Sequence, residues 1–87
     1  LGKGIVIGAN CVLTVDIILK DFAYLNTGVI ISHDASVGKF SMLMPSVSIS
    51  TGVNIGEKVY LGNGTIIDKP ISINDNSIIK AGSVLPK

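Results

Sequence analysis

The sequence contains one histidine, His33, followed directly by Asp34. An imidazole titrates near neutrality, so it can take a proton from an attacking amine or hydroxyl, and an adjacent carboxylate can fix its tautomer or raise its basicity. His33 and Asp34 are therefore the candidate catalytic pair, for chemistry in which a nucleophile loses a proton as it attacks. Plainer roles stand beside that one: for His33 a surface imidazole hydrogen-bonded to Asp34 or to a neighbouring coil, and for Asp34 a carboxylate satisfying backbone amides at a turn. Metal chemistry is not expected, because a single histidine per chain cannot supply a three-histidine zinc site. Cys11, the only cysteine, cannot form an internal disulfide, in keeping with a reducing cytoplasm, and reads as a small buried hydrophobe.

The chain has 87 residues and a net charge of +1, from seven lysines against six acidic residues. It has no basic run to track a phosphate backbone, so nucleic acid is not an expected partner. Neither is a bilayer, since no long apolar stretch runs without polar interruption. The apolar fraction of 47% comes from Ile, Leu and Val, with no Trp and only two Phe and two Tyr, which favours β structure. One domain, residues 1–87, is the ceiling for this length. The repeat described next is already running at Leu1, which reads as the C-terminal module or a fragment of a longer protein.

What must position His33 is a repeat of period six. Stepping from Leu1 by six gives Ile7, Leu13, Leu19, Leu25, Ile31, Val37, Leu43, Ile49, Ile55, Leu61, Ile67, Ile73, Ile79 and Leu85, all aliphatic. Chance would produce this on the order of once in ten million such chains. Numbering each hexad from that residue, the fifth positions are small or mostly β-branched, and the glycines fall on the second or the fourth. Glycine suits a tightly bent corner, as do Asn10, Asp16, Asp34 and Asn76. A helix would smear a period of six around its cylinder. A chain that turns a corner every six residues closes a three-sided coil of 18, and stacked coils form a parallel prism of about five coils. His33 occupies a third position, at or near a corner.

These residues resemble the hexapeptide-repeat transferases, over the whole chain. Leu25-Asn26-Thr27-Gly28 with Ser32-His33-Asp34 is similar to the segment carrying the catalytic base in the nucleotide-sugar and sialic-acid acetyltransferases of that superfamily. The resemblance implies an all-β, left-handed parallel β-helix and an acetyl group moved from acetyl-CoA to an amine or hydroxyl of a sugar or nucleotide-sugar acceptor. His33 is then the general base, and the cofactor contacts fall at Met42, Thr51, Gly52, Asn63, Lys69, Ala81 and Lys87. The backbone N–H corresponding to Thr51 would serve the acetyl carbonyl. Two departures stand out: Thr51 is commonly glycine in the family, and Met42 stands where a second histidine is often found.

Residues 18 apart stack, so His33, Thr51, Lys69 and Lys87 form one column spanning about 14 Å, a length suited to a pantetheine arm with its phosphates toward the lysines. The outward sixth positions are apolar on two neighbouring faces (Val6, Tyr24, Met42, Tyr60, Ile78 and Val12, Ile30, Ser48, Ile66, Val84) and mostly polar on the third (Ile18, Ser36, Asn54, Ser72). That pattern suits a homotrimer in which each prism packs two faces against neighbours. The alternative to the enzyme is a catalytically degenerate trimerisation scaffold.

Overall fold

The computed structural model describes residues 1–86, which form fourteen two-residue strands. Face A stacks β1 (Val6–Ile7), β4 (Tyr24–Leu25), β7 (Met42–Leu43), β10 (Tyr60–Leu61) and β13 (Ile78–Ile79). Face B stacks β2 (Val12–Leu13), β5 (Ile30–Ile31), β8 (Ser48–Ile49), β11 (Ile66–Ile67) and β14 (Val84–Leu85). Face C stacks β3 (Ile18–Leu19), β6 (Ser36–Val37), β9 (Asn54–Ile55) and β12 (Ser72–Ile73). All pairings are parallel with partners 18 residues apart, such as Val6 with Tyr24 and Ile31 with Ile49. The result is a left-handed β-helix of four complete coils and two strands of a fifth, slightly short of five full coils.

Strands this short follow from the corners between them. From Gly4 to Gly82, every fourth position of the hexad except Pro70 has a φ between 55° and 76°. That left-handed conformation reverses the chain direction in one residue. Its N–H then donates to the third-position carbonyl one coil back, as Gly28 to Ala9 at 2.9 Å, Phe40 to Asp21 at 3.1 Å and Gly52 to His33 at 2.9 Å. Asn10, Asp16, Asp34 and Asn76 occupy the corners expected of them. Phe22, Phe40, Ser46 and Lys58 do so too, although an L side chain there costs about 1–2 kcal/mol. Phe22 and Phe40 offset part of that cost by stacking, with centroids 5.2 Å apart, a contact of about 0.5–1.5 kcal/mol.

The second-position glycines are not corner residues. Gly2, Gly8, Gly38, Gly56 and Gly62 have no positive φ. They are needed because the next coil passes too close for a side chain: a Cβ on Gly38 would overlap the Gly56 carbonyl, and one on Gly8 would lie 2.9 Å from the Thr27 nitrogen.

Inside, the first-position column (Leu19, Leu25, Ile31, Val37, Leu43, Ile49, Leu61, Ile67) and the fifth-position column (Ala23, Val29, Ala35, Val47, Val53, Val59) are fully buried. The end coils close only partly over this core, with Leu13, Ile79 and Leu85 half-buried. Cys11 is also half-buried, and its thiol donates to the Asn26 carbonyl at 3.0 Å. Ser41 replaces an apolar residue in the column without leaving a polar group unpaired. Its hydroxyl donates to the Gly56 carbonyl at 2.6 Å and accepts from the Val59 N–H at 3.0 Å. Truncating it orphans both groups in the core, so Ser41→Ala is expected to lower the unfolding free energy by about 2–3 kcal/mol. Ser83→Ala, which removes a local bond at the partly open end, should cost less than about 1 kcal/mol. Urea titration of the two variants checks the contrast; equal losses would contradict it.

Candidate functional site

The corner between faces B and C carries His33. Its third positions read Val15, His33, Thr51 and Lys69 along the prism, and its fourth positions read Asp16, Asp34, Gly52 and Pro70. His33, Asp34, Thr51 and Lys69 are all exposed. The corner therefore gathers both expected catalytic residues with Thr51, Gly52 and Lys69 of the expected cofactor set. The other members lie elsewhere on the chain: Met42 is exposed on face A, and Asn63 and Ala81 are at the corner between faces A and B. Lys87 lies outside the described residues.

Three of the third-position N–H groups donate to the side chain 18 residues further on. Lys3 N–H donates to Asp21 at 2.8 Å and Glu57 N–H to Asp75 at 2.8 Å. At the His33 corner the same geometry has Val15 N–H donating to His33 Nδ1 at 3.4 Å. No hydrogen bond joins His33 to Asp34 among the described residues; the Asp34 amide donates instead to the Val15 carbonyl at 3.2 Å. With Nδ1 accepting, the neutral ring carries its hydrogen on Nε2. The bond is long, so this preference is weakly held.

One coil further on, both backbone groups of Thr51 are open. The N–H shares this with Ala9, Asp21, His33 and Lys39, whereas the carbonyl stands apart from the other third positions that have a coil above them. The side chain above the Thr51 N–H belongs to Lys69, a donor only, so nothing there accepts. Its carbonyl should receive the fourth-position N–H of the next coil, but that residue is Pro70, which has none. The chain turns locally instead, with Ile71 N–H donating to the Lys69 carbonyl at 2.8 Å. Among the described residues Thr51 thus keeps both backbone groups open, one coil, or about 4.8 Å, from His33. Sequence reasoning pointed to its N–H by resemblance. The open carbonyl was also readable, from Pro70 lying 19 residues after Thr51.

No cluster of three or more metal-binding side chains occurs among the described residues, and no helix is long and apolar enough to cross a membrane.

Residues 52–87 match the family model described as bacterial transferase hexapeptide (six repeats). The galactoside O-acetyltransferase of Escherichia coli (strain K12) is 26% identical over 84 residues, covering 76% of this chain and 41% of that protein. The acyl-[acyl-carrier-protein]–UDP-N-acetylglucosamine O-acyltransferase of Rickettsia canadensis (strain McKiel) is 28% identical over 83 residues, covering 95% of this chain and 31% of that protein. The chain thus spans less than half the length of these relatives. Among solved structures, the acetyltransferase domain of PglB from Neisseria gonorrhoeae FA1090 superposes with a TM-score of 0.86 at 24% identity, over 97% of this chain and 44% of that one. WeeI from Acinetobacter baumannii AYE gives a TM-score of 0.86 at 24% identity, over 99% and 46%. These likenesses share the fold.

The hydrogen bond from Val15 has a direct spectroscopic consequence. Long-range nitrogen–proton correlation spectra of the neutral imidazole are expected to show the Nε2–H tautomer in larger excess than in a short unstructured peptide carrying the same histidine. A dominant Nδ1–H form would contradict the geometry of this corner.

Proposed function

We propose that this chain, whose residues 52–87 match the bacterial transferase hexapeptide model, is the donor-binding and catalytic part of an acetyltransferase. It moves the acetyl group of acetyl-CoA to an amine or hydroxyl of a sugar or nucleotide-sugar acceptor. The observation that carries this reading is the open backbone of Thr51 one coil from the only imidazole. Relatives named as sugar acetyltransferases and acyltransferases support the reaction class.

In this mechanism the thioester carbonyl accepts the Thr51 N–H, and the acceptor nucleophile attacks its carbon while His33 takes the departing proton. The tetrahedral oxyanion that forms is held by the same N–H, a fixed donor aimed where charge develops. Collapse breaks the carbon–sulfur bond, and the imidazolium returns its proton to the leaving thiolate. Acting as base requires the ring to present an unprotonated nitrogen, and so to release Val15. Losing one long hydrogen bond costs about 0.5–1 kcal/mol, small beside the 10²- to 10⁴-fold, or about 3–5 kcal/mol, that a general base supplies. Asp34 acts at most through the field of its charge. Gly52 leaves the corner beside Thr51 without a side chain, and the Lys69 ammonium sits further along as the partner for cofactor phosphates.

The reading includes a homotrimer. Val6, Met42, Tyr60 and Ile78 on face A and Val12, Ile30, Ile66 and Val84 on face B are large apolar side chains left exposed, and packing face A of one prism on face B of the next covers both. Met42 then faces the neighbour's face B, while Asn63 and Ala81 fall at the corner nearest the axis.

His33→Ala should leave the trimer, measured by light scattering, and acetyl-CoA affinity nearly unchanged while turnover falls by about 10²- to 10⁴-fold. Lys69→Glu should weaken acetyl-CoA binding, and more at low salt. Absence of acetyl-CoA binding by the wild-type chain would favour the scaffold, which has no reason to retain the cofactor.

A further inference from the structure

Face C differs from its neighbours. Ser36, Asn54 and Ser72 stand one above another at its outward positions, and with Lys20, Asn74 and Asp75 they line an open groove of about 620 Å³. This volume is within the range of small-molecule sites, roughly 300–1,000 Å³. Its floor includes Gly56, which stands in the second-position column between Lys20 and Asn74, two residues about 14 Å apart, and presents bare backbone there.

The groups around it have unspent hydrogen-bonding capacity. Ser36 Oγ donates to Asn54 Oδ1 at 2.7 Å, which leaves both hydrogens of the Asn54 amide free. Asp75 Oδ1 accepts the Glu57 N–H at 2.8 Å, leaving its second oxygen open. The side chains of Lys20, Ser72 and Asn74 make no hydrogen bond within the chain among the described residues. Alternating donors and acceptors on a polar floor suit a polyol. The charges give the groove a direction: an ammonium at the Lys20 end attracts an anionic group, and the Asp75 carboxylate at the other end repels one.

We infer that this groove is the acceptor site and that it takes a sugar phosphate ester, with the sugar over Ser36 and Asn54 and the phosphate at Lys20. The inference rests on the reading of His33 as the base. Ser36 follows His33 by three residues in the same coil, at most about 11 Å of chain, so a sugar seated on face C brings its amine or hydroxyl to the corner from one side. The thioester reaches the same corner from the side of Thr51 and Lys69. Donor and acceptor thus meet across His33 without competing for one surface.

The test titrates the nitrogen-15-labelled chain with glucosamine 1-phosphate, and with glucosamine as the control that lacks the phosphate ester, in the absence of acetyl-CoA. The expected result is resonance shifts at Ser36, the Asn54 side-chain amide and Ser72, with the phosphate ester bound at least about tenfold more tightly than glucosamine. Lys20→Glu should remove that preference, and Lys80→Glu, outside the groove, should leave it. Shifts confined to other faces, or a preference unchanged by Lys20→Glu, would overturn the inference. Acetyl transfer that is abolished by His33→Ala while glucosamine 1-phosphate leaves face C undisturbed would overturn the groove and leave the catalytic reading intact. Binding on face C with transfer unaffected by His33→Ala would instead overturn the assigned base.

Discussion

The prism depends on a single recurring demand, that one residue in six adopt the left-handed conformation and donate its N–H to the coil behind it. Those bonds join corner to corner along the prism, as the strand bonds join strand to strand within each face, and among the described residues the backbone N–H groups left open are mainly those at third positions. The demand is strong enough to hold Phe22, Phe40 and Lys58 at positive φ, a conformation that bulky side chains avoid. It is broken at Pro70, whose ring excludes positive φ and which has no N–H to give. The break falls where it opens the carbonyl of Thr51, beside an N–H that, like most at third positions among the described residues, has no acceptor. An exception to the fold's own rule thereby produces the most receptive stretch of backbone near the imidazole.

Much of this was legible in the sequence, for a physical reason. A column of side chains that must all point inward tolerates only aliphatic residues, so the first position of the hexad betrays the period from Leu1 to Leu85. The corners were less legible. Gly28, Asp34 and Asn76 announce a left-handed turn by type, whereas Phe40 and Ser46 do not, because solenoid geometry overrides the preference of the residue. The second-position glycines were misleading in the opposite sense. Gly38 and Gly56 serve close approach between coils instead of an unusual φ, and only the packing distinguishes the two uses. At the site, the corner position of His33 was readable from its slot, but its partner was not, since Val15 contributes a backbone N–H that no residue type reveals.

Under the proposed function, the division of the three faces lets so small a prism receive two substrates. Faces A and B spend most of their outward positions on apolar side chains, suited to contact with other copies, and face C, Ile18 apart, spends them on hydroxyls and an amide. His33 stands at the boundary between B and C, so it belongs to neither surface and is reachable from both. The αL turn that places it there also fixes the relation of Thr51 N–H to the ring, because the two residues share a column and differ by one coil. The geometry of the proposed site is thus inherited from the repeat.

The most direct measurement is a crystal structure of the chain with acetyl-CoA bound. The account predicts the thioester carbonyl within hydrogen-bonding distance of the Thr51 N–H, its carbonyl carbon facing the His33 ring, and the pantetheine running along the corner toward Lys69. Cofactor seated against another corner or face, with the Thr51 N–H open to solvent, would contradict it.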